Sequence, residues 1–464
     1  MKRYMFLVLC LLLILPTACR SSDPPPLDPS EEEPNDEGNN LDIPEVIDEA
    51  YLIQVGSGYL ESLFSGAYSE AYTTYPHDEN MIAAIDPEAY EAFFVDMYAN
   101  YGPFIEFVGS ETRFQGDFGF YTTGVVLEQN KLNANVVIDK EGRIAGFNFG
   151  AFSFEDEIAQ DPPEGFKEIS IVFGDNDWPL DGKITTPDTS GTHPMVILVH
   201  GSGPNDMNET IGANAPFRDM AYYLAERGVS VLRYDKRTYT YGAVMGGMKD
   251  LTVYGEVIDD VVEAVAFASS LEYVDPDQIY VLGHSLGAYL MPRIAEVTPD
   301  AAGYMMAAGI FSSLGEIVPY QIEYLSALDG EITDEELAYI EAMTEEAHKS
   351  LNPELIGDDE VILGAYRPYW EDLAAYDPVE MAREIEKPVF VFQGDRDYQV
   401  PISEFSIIYE ALKDQDNYSF KVYEGINHLL IYGESAPTPE EYYVKGHVHE
   451  PLLEDIILFV QNQL

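Results

Sequence analysis

Cysteine is almost absent from this chain of 464 residues, which contains only Cys10 and Cys19, both near the N-terminus. The rest of the chain can therefore form no internal disulfide and no thiolate metal site, so its fold must be stabilised by packing. The sequence patterns of zinc proteases, nucleotide phosphate loops and paired cysteine ligands are missing as well. The sequence thus predicts neither a bound metal nor a cofactor.

Basic residues are also scarce. Lys and Arg number 24 against 83 Asp and Glu, which gives a formal net charge of −59. An acidic surface repels nucleic acid and anionic lipid headgroups, so neither is an expected partner. Such a surface is best tolerated where salt screens its self-repulsion. A saline or alkaline habitat is one hypothesis, and an acidic exported protein is the simpler alternative.

The N-terminus lacks a hydrophobic run long enough to span a membrane. Its apolar run from Met5 to Leu15 has eleven residues, whereas a spanning helix needs about 20. The run follows Lys2 and Arg3 and is followed by small residues before Cys19. Residues 1–19 therefore have the organisation of an export signal.

The end of this segment resembles the lipobox of bacterial lipoproteins, although Pro16 stands where Leu is usual. The resemblance implies that Cys19 becomes the lipidated first residue of an extracytoplasmic protein anchored to the cell membrane. An ordinary secretory signal with an incidental cysteine is the alternative. Residues 20–45 are rich in Pro and acids and nearly free of large apolar groups, so we expect a disordered, extended linker there.

A smaller α+β domain is predicted over residues 46–157. Two helical stretches, 46–64 and 87–101, precede five strand-like segments, with a hairpin turn at residues 139–142. Helices followed by a meander indicate a curved sheet wrapped on helices. The pattern resembles the NTF2-like module, of unknown function, that precedes some exported bacterial hydrolases. Its many tyrosines are candidates for a ligand pocket, but we expect them mainly in the core and at its rim.

Strands and helices alternate over residues 158–464, which predicts an α/β domain with a mostly parallel sheet and helices on both faces. The expected strands are 167–173, 195–200, 229–235, 279–282, 302–310, 388–394 and 419–425. Residues 312–385 show no strand pattern, but they contain a capping box at Thr333–Glu336 followed by an amphipathic helix. We therefore predict a helical cap inserted over the site.

The stretch from Gln278 to Ala295 reads as a buried strand, a sharp turn through GHSLG and an amphipathic helix. This is the context in which a G-x-S-x-G motif presents a nucleophile, so Ser285 is the candidate. Glycines at both ends of the motif allow the close chain approach that such a turn needs. The N–H of Leu286 is expected to donate to an oxyanion, and Pro292 is expected to kink the helix.

Two later loops supply candidate partners for this serine. Asp397 follows the strand 388–394, and His428 follows the strand 419–425. Both loops come at C-terminal strand ends, where α/β sheets assemble their sites, and the order Ser, Asp, His is that of α/β hydrolases. The histidine would act as the base and the aspartate would orient it. Three rivals are placed less favourably: Asp395, His447 and His449.

A second oxyanion donor is expected from the glycine-rich loop HGSGP that follows the strand 195–200. We assign the backbone N–H of Ser202, with that of Gly201 as the runner-up. His200 and His284 flank the two functional turns. We expect structural rather than catalytic roles for both histidines.

Together, HGSGPNDMNETIG, GHSLGAYLMPRIA and GDRDYQVP resemble bacterial carboxylesterases of the α/β-hydrolase superfamily, related to dienelactone-hydrolase-like and serine-aminopeptidase-like enzymes. The resemblance runs from about Glu168 to the C-terminus. It implies the α/β-hydrolase fold and hydrolysis of small to medium acyl esters through an acyl-enzyme on Ser285, without metal or cofactor. A peptidase, acyltransferase or thioesterase with the same triad stays open, because one nucleophile and oxyanion hole serve any acyl transfer. A surface ligand-binding protein with a degenerate hydrolase domain is the alternative of another class.

Overall fold

The computed structural model describes most of the chain beyond residue 42. The described residues are 43–44, 46–78, 81–82, 87–115, 118–128, 131–151, 165–175, 177–328, 330 and 332–464. The chain divides into two compact units between Gln160 and Asp161. The predicted export signal with Cys19, all of the predicted linker except residues 43–44, and the predicted domain boundary at residue 157 lie outside the described residues. Within the described ranges, no helix has both the length and the apolar character that crossing a bilayer requires.

In the described part of the N-terminal unit, the helices α1 (Glu49–Phe64), α2 (Tyr68–Thr74) and α3 (Pro87–Tyr101) precede the strands. Asp48 caps α1 by accepting the N–H of Tyr51 at 2.9 Å. Apolar residues recur along α1 at helical spacing and are buried: Leu52, Val55, Tyr59, Leu60 and Leu63. This face of α1 packs against the sheet that follows.

Four antiparallel strands form that sheet in sequence order: β1 (Phe104–Gln115), β2 (Phe118–Leu127), β3 (Lys131–Asp139) and β4 (Ile144–Ala151). The expectation of five strands is wrong, because the first two predicted segments form the single strand β1. Its pairing with β2 shifts register between Val108 and Glu111, and Gly109 there has a φ of 61°. The Gly-Ser pair that reads as a turn therefore makes a β-bulge. The predicted hairpin turn is confirmed, since the N–H of Gly142 donates to the carbonyl of Asp139 at 3.0 Å.

Several tyrosines of this unit lie in its core, among them Tyr51, Tyr59 and Tyr90. The hydroxyls of Tyr59 and Tyr90 contact each other, and each lies 3.4 Å from Nε2 of His77. Burial raises the pKa of Tyr90 to about 12. These phenols therefore stay protonated and satisfy one another inside the core.

The strands of the C-terminal unit are β5 (Phe166–Phe173), β6 (Leu180–Pro187), β7 (His193–Val199), β8 (Ser230–Tyr234), β9 (Val274–His284), β10 (Gly303–Ala307), β11 (Val361–Ile362), β12 (Ala365–Tyr366), β13 (Val389–Gly394) and β14 (Tyr418–Tyr423). All but β11 and β12 form one sheet in the order β14-β13-β10-β9-β7-β8-β6-β5. The six strands from β14 to β8 run parallel, and β6 pairs antiparallel with both β8 and β5. The predicted mostly parallel sheet is confirmed.

The helices of this unit are α4 (Pro216–Glu226), α5 (Arg237–Met245), α6 (Asp259–Ser269), α7 (Leu286–Tyr289), α8 (Met291–Val297), α9 (Leu314–Ser326), α10 (Asp334–Leu351), α11 (Arg367–Ala374), α12 (Pro378–Ala382), α13 (Ile402–Leu412) and α14 (Glu450–Val460). Side chains of β9 alternate between the two faces of the sheet. Tyr280 and Leu282 pack with α4 and α14, whereas Ile279 and Val281 pack with α6 and α8. Helices therefore cover both faces, as the alternation of elements predicts.

The insertion between β10 and β13 holds α9 to α12. Its capping box is confirmed, because the hydroxyl of Thr333 accepts the N–H of Glu336 at 3.2 Å and the Glu336 carboxylate accepts the N–H of Thr333 at 2.8 Å. The expectation of no strand is wrong at one place. There β11 and β12 pair around Leu363 and Gly364, whose φ angles are 43° and 82°. Strands of two residues are too short to produce an alternating pattern in the sequence.

Candidate active site

Ser285 occupies a tight turn between the end of β9 and the start of α7. Its φ is 53° and its ψ is −110°, a conformation that costs a residue with a side chain on the order of 1–3 kcal/mol. The neighbouring strand holds it there, since the N–H of Ser285 donates to the carbonyl of Ala307 at 2.9 Å. The predicted strand-turn-helix arrangement is confirmed, and it places this serine at the carboxyl edge of the sheet.

The two glycines of the motif are required by close backbone contacts. A Cβ on Gly283 would lie 2.3 Å from the carbonyl carbon of Gly287, and a Cβ on Gly287 would lie 2.5 Å from the carbonyl oxygen of Val199. No side chain fits at such distances without moving the backbone. Both glycines therefore have the role that the sequence predicts for them.

The helix after Ser285 is interrupted, and its two parts, α7 and α8, meet at Leu290. Pro292 lies in the first turn of α8, where a missing N–H is tolerated. The predicted kink is thereby confirmed. Just beyond it, the guanidinium of Arg293 donates to the carboxylate of Asp372 in α11 at 2.7 Å. The turn of residues 283–287, which presents Ser285, is called the elbow below. The contact of Arg293 ties the helix that follows the elbow to the cap.

Asp397 and His428 meet beside this turn. Nδ1 of His428 lies 2.7 Å from Oδ2 of Asp397, and both side chains are buried. The backbone carbonyl of His428 accepts a hydrogen bond from Nε2 of His284 at 2.8 Å. His428 is therefore attached to the residue that directly precedes Ser285. With Nδ1 engaged by the aspartate, Nε2 of His428 is the nitrogen left to act as a base.

The three rival side chains have other surroundings. Asp395 is exposed and accepts the N–H of Gly425 at 2.7 Å, so it connects the loop after β13 to the loop after β14. The imidazole of His447 is largely exposed and lies 3.1 Å from Asp219. His449 packs against the rings of Tyr423 and Tyr432. None of these contacts includes Ser285, Asp397 or His428.

The loop after β7 lies against the elbow. A Cβ on Gly201 would be 3.1 Å from Cβ of Ser285. The N–H of Gly201 donates to Oε1 of Glu209 at 2.6 Å, so the runner-up oxyanion donor is already engaged and that expectation is wrong. Among the backbone bonds of the described residues, neither Ser202 nor Leu286 uses its N–H. Both remain the predicted donors.

A buried ion pair that sequence reasoning misses supports this arrangement. Oε2 of Glu209 lies 2.9 Å from Nδ1 of His284. Burial alone would lower the pKa of His284, but the Glu209 carboxylate and the His428 carbonyl raise it above its ordinary value. Burial alone would raise the pKa of Glu209, but the nearby His284 holds it below its ordinary value. Each side chain therefore favours the charged form of the other, and the contacts of His284 are structural, as we expect.

His200 differs from His284 in the direction of its pKa shift. Its Nε2 lies 3.0 Å from the carbonyl of Asp206, and burial lowers its pKa to about 4. The side chain is therefore neutral near pH 7 and supports the loop. Only one signal in the sequence points to Glu209, its position in the segment that resembles carboxylesterases. An isolated acid in a polar loop otherwise reads as a solvated side chain.

Residues 191–435, more than half of the chain, match the family described as serine aminopeptidase, S33. The chain belongs to this family. The described part of this S33 family member contains no group of three or more His, Cys, Asp or Glu side chains that could hold a metal ion. Its fold is that of an α/β hydrolase with a smaller, strand-rich N-terminal domain.

The S33 chain is similar to an esterase and to a dipeptidyl aminopeptidase. It is 38% identical to esterase EstD of Thermotoga maritima, over 77% of this chain and 83% of that protein. It is 26% identical to dipeptidyl aminopeptidase BIII of Pseudoxanthomonas mexicana, over 50% of this chain and 29% of that protein. Among solved structures, Est1E of Butyrivibrio proteoclasticus matches with a TM-score of 0.41 and 19% identity, covering 63% of this chain and 98% of that one.

Proposed function

We propose that this protein is a serine carboxylesterase that hydrolyses small to medium acyl esters through an acyl-enzyme on Ser285. The observation that carries the proposal is the bond of His428 to Asp397 next to the elbow, at 2.7 Å. An imidazole held this way can remove a proton from a serine hydroxyl. The similarity to EstD, at 38% identity over most of both chains, supports an ester as the substrate.

In the proposed reaction, Nε2 of His428 takes the proton of the Ser285 hydroxyl while its oxygen attacks the ester carbonyl. The proton then passes to the departing alcohol, and the acyl group stays on the serine. A water molecule repeats the sequence in reverse and releases the acid. Asp397 keeps Nδ1 of His428 protonated and stabilises the imidazolium cation that forms.

Negative charge develops on the carbonyl oxygen in both steps. We assign its stabilisation to the backbone N–H groups of Leu286 and Ser202. Gly201 lies against the Ser285 side chain, so the next peptide along the loop is within reach of an atom bonded to that side chain. Donors fixed in advance by the fold cost no reorganisation during the reaction.

The cap contacts the loop that carries Asp397. Helix α9 is tied to the loop of Asp397, because the amide of Gln321 donates to the carbonyl of Gln399 at 2.8 Å. Tyr324 stacks on Tyr398 with ring centroids 5.1 Å apart. Tyr320 of the same helix is 38% exposed, and burial together with the charge of Asp397 raises its pKa. An aromatic side chain near the acid and open to solvent is suited to contact an acyl or alcohol group.

A peptidase is the second candidate, and the family description and the dipeptidyl aminopeptidase relative favour it. An aminopeptidase must bind the ammonium group of its substrate, which calls for an available carboxylate. Two buried carboxylates of the C-terminal unit are already engaged by other groups. Glu209 binds His284 and Gly201, and Glu404 accepts the N–H groups of Phe311 and Ser312 at 2.8 Å each. This is why we rank the esterase first.

The test is hydrolysis of p-nitrophenyl esters from acetate to decanoate by the full-length protein. We expect turnover by the wild type and loss of at least about 10³-fold in Ser285→Ala. Ser270→Ala is the matched control, since its hydroxyl donates to the carbonyl of Phe267 on an exposed helix end. Aminoacyl p-nitroanilides provide the comparison with a peptidase. Cleavage of these amides with no cleavage of any ester would overturn the esterase assignment.

We also propose that the protein is an exported lipoprotein, anchored outside the cytoplasm through a lipid on Cys19, with an NTF2-like N-terminal module. Support for the anchor comes from the basic, apolar and small residues that precede Cys19. Support for the module comes from the order of its described elements, helices followed by a four-stranded meander. The protein expressed in a bacterial host with a palmitate analogue should become labelled, and Cys19→Ala should not. An unlabelled wild type would contradict the anchor.

A further inference from the structure

Lys236 is a buried cation that the reaction described above does not use. Lys236 lies two residues after the end of β8, and the whole residue is 2% exposed. The ammonium donates to the carboxylate of Glu256 at 2.6 Å and to the carbonyl oxygen of Gly201 at 2.9 Å. A buried charge is costly unless it is well paired, so a contact that directs it to one backbone carbonyl calls for an explanation.

That carbonyl belongs to the peptide group whose N–H is the assigned oxyanion donor. The peptide between Gly201 and Ser202 is planar and trans, so its C=O and N–H point in opposite directions. Fixing the direction of the Gly201 carbonyl therefore fixes the direction of the Ser202 N–H. Because Gly201 lies against Ser285, this N–H is placed beside the reacting atoms.

The chain on the other side of Gly201 is fixed as well. Its N–H donates to the buried carboxylate of Glu209 at 2.6 Å. The loop is thus held by an anion at the N–H of Gly201 and by a cation at its carbonyl. The amide of Asn205 adds a weaker contact to the same carbonyl at 3.3 Å. A glycine has no side chain to restrict its own backbone, so these contacts supply the restriction.

We propose that Lys236 is a positioning residue for the oxyanion hole. Its ammonium orients and polarises the Gly201–Ser202 peptide, so that the Ser202 N–H is aimed at the oxyanion and donates more strongly. The proposal rests on the proposed function of Ser285. Hydrogen bonds to charged groups are stronger than neutral ones, and each bond in a chain strengthens the next. Lys236 acts through the backbone and does not itself touch the substrate.

The anchor of Lys236 extends into the cap. Oε2 of Glu256 accepts the hydroxyl of Tyr369 in α11 at 2.8 Å. Burial and the adjacent Glu256 raise the pKa of Tyr369 well above its ordinary value, so the phenol stays a donor. Glu256 itself lies in a π-helical turn, Tyr254–Ile258, a distortion often found at functional sites. The contacts of Tyr369 with Glu256, of Glu256 with Lys236 and of Lys236 with Gly201 therefore connect the cap to the loop of Gly201 and Ser202, called the oxyanion loop.

The chain offers a matched control in the next residue. Arg237 is also buried and pairs with the buried carboxylate of Asp260 at 3.0 Å. Its contacts are with that carboxylate and the ring of Trp178, and not with the oxyanion loop. Replacing Lys236 or Arg237 by Met removes the buried charge and leaves an unbranched side chain of similar length. Only Lys236→Met also releases the Gly201 carbonyl.

The experiment compares steady-state ester hydrolysis by wild type, Lys236→Met and Arg237→Met, at a temperature where thermal unfolding shows all three folded. We expect Lys236→Met to lower kcat by roughly 10²-fold, the scale of losing one oxyanion donor, with KM changed by less than about threefold. A boronic acid, which forms a tetrahedral adduct with the serine, should lose affinity by a similar factor. Arg237→Met should keep kcat within about threefold, and Lys236→Arg should recover part of the loss.

Equal kcat values for Lys236→Met and Arg237→Met would overturn the proposal. So would a fall in kcat without a fall in affinity for the boronic acid. If Lys236→Met does not fold, Tyr369→Phe replaces it and should lower kcat about threefold or more at constant KM. An unchanged kcat in Tyr369→Phe would then overturn the proposal.

Failure of the proposed function would show in the wild type, as absence of ester hydrolysis. In that case the same variants are compared by their rate of labelling with a fluorophosphonate. That reaction also places a negatively charged oxygen in the hole, so slower labelling of Lys236→Met than of Arg237→Met is still required. Equal labelling rates would overturn the role of Lys236 independently of the substrate.

Discussion

Asp397 accepts hydrogen bonds from its own loop as well as from the histidine. Its Oδ1 accepts the N–H groups of Gln399 at 2.8 Å and Val400 at 3.0 Å. Its Oδ2 accepts the amide of Gln393 at 3.0 Å in addition to Nδ1 of His428. These donors fix the carboxylate before any substrate is present, which is what orientation of the imidazole requires.

Asp397→Asn tests this role. The amide can donate to Nδ1 of His428 and thereby favour the wrong tautomer, so we expect kcat to fall by about 10³- to 10⁴-fold. Asp395→Asn is the control, since that exposed residue should leave kcat within about twofold. Steady-state kinetics with p-nitrophenyl butyrate measure both. Comparable activity of the two variants would show that the acid has been misassigned.

The Glu209–His284 pair has a defined pH dependence. The pKa of His284 is raised above its ordinary 6.5. Its contribution to the free energy of unfolding is therefore full below pH 6.5 and is lost as the pH rises through the raised pKa. Because the pKa of Glu209 is lowered below its ordinary 4.5, its contribution is present above pH 4.5 and is lost as pH falls through the lowered value. The pair therefore stabilises most between about pH 4.5 and 6.5.

Glu209→Gln keeps an acceptor for the N–H of Gly201 but removes the charge. We expect it to cost roughly 3–5 kcal/mol of unfolding free energy at pH 5.5, and less as the pH rises. Urea unfolding of both proteins from pH 5 to 9 measures the difference, in which the shared titration of His200 largely cancels. A difference that stays constant or grows with pH would contradict a charged His284.

Residues of the triad could be predicted from the sequence because each follows a strand and carries a motif. Ser285, Asp397 and His428 follow β9, β13 and β14, parallel strands of one sheet in which β10 separates β9 from β13. Glu209 and Lys236 could not be predicted in the same way. Their partners are Gly201, His284 and Glu256, and only the folded chain shows that these distant residues are neighbours.

At the scale of elements, the elbow depends on the distance between three backbone segments. The turn after β9, the start of α7 and the end of β7 approach so closely that Gly287 has its Cα against the carbonyls of Val199 and His200. The same approach brings the oxyanion loop next to Ser285. The conformation of the elbow and the position of the oxyanion loop therefore both depend on the close contact of Gly287 with the end of β7.

Gly287→Ala tests that contact. Its added Cβ would lie 2.5 Å from the carbonyl oxygen of Val199, so either the helix or the strand must move. We expect a loss of roughly 3 kcal/mol or more in stability and a large fall in kcat. Gly247→Ala is the control, because its Cβ would meet only one atom at 3.7 Å. Thermal unfolding and ester hydrolysis measure both effects, and tolerance of Gly287→Ala would refute the packing argument.

Elements differ in how well their sequence predicts them. Long strands with apolar runs, such as β7 and β13, and the helix α10 with its capping box are predicted because local signals agree with the fold. The continuous strand β1 is not, since Gly109 and Ser110 read as a turn and form a bulge. The hairpin β11–β12 is not predicted either, because it requires a positive φ at Leu363, which leucine does not signal.

The molecule as a whole is strongly acidic. A net charge of −59 on 464 residues produces self-repulsion that salt can screen. The match to EstD covers 77% of this chain, whereas the unit from Asp161 to the C-terminus is about two thirds of it. The similarity therefore reaches into the N-terminal unit, which indicates that both proteins share more than the hydrolase domain.

Adaptation to salt predicts that the melting temperature rises between low and molar KCl. Each kcal/mol of relieved repulsion should add roughly 2–4 °C. KCl is preferred to sulfate, which stabilises folded proteins in general by exclusion from their surface. An unchanged melting temperature would exclude adaptation to salt. The acidity would then be explained by the alternative, an acidic exported protein that is not adapted to salt.

Ser285 is the proposed nucleophile, activated by His428 and Asp397. The intact mass and peptide map of the full-length protein after reaction with a fluorophosphonate test this role directly. We expect a single adduct on Ser285, absent from Ser285→Ala and formed far more slowly by Asp397→Asn. An adduct on another residue, or equal labelling of wild type and Ser285→Ala, would contradict it.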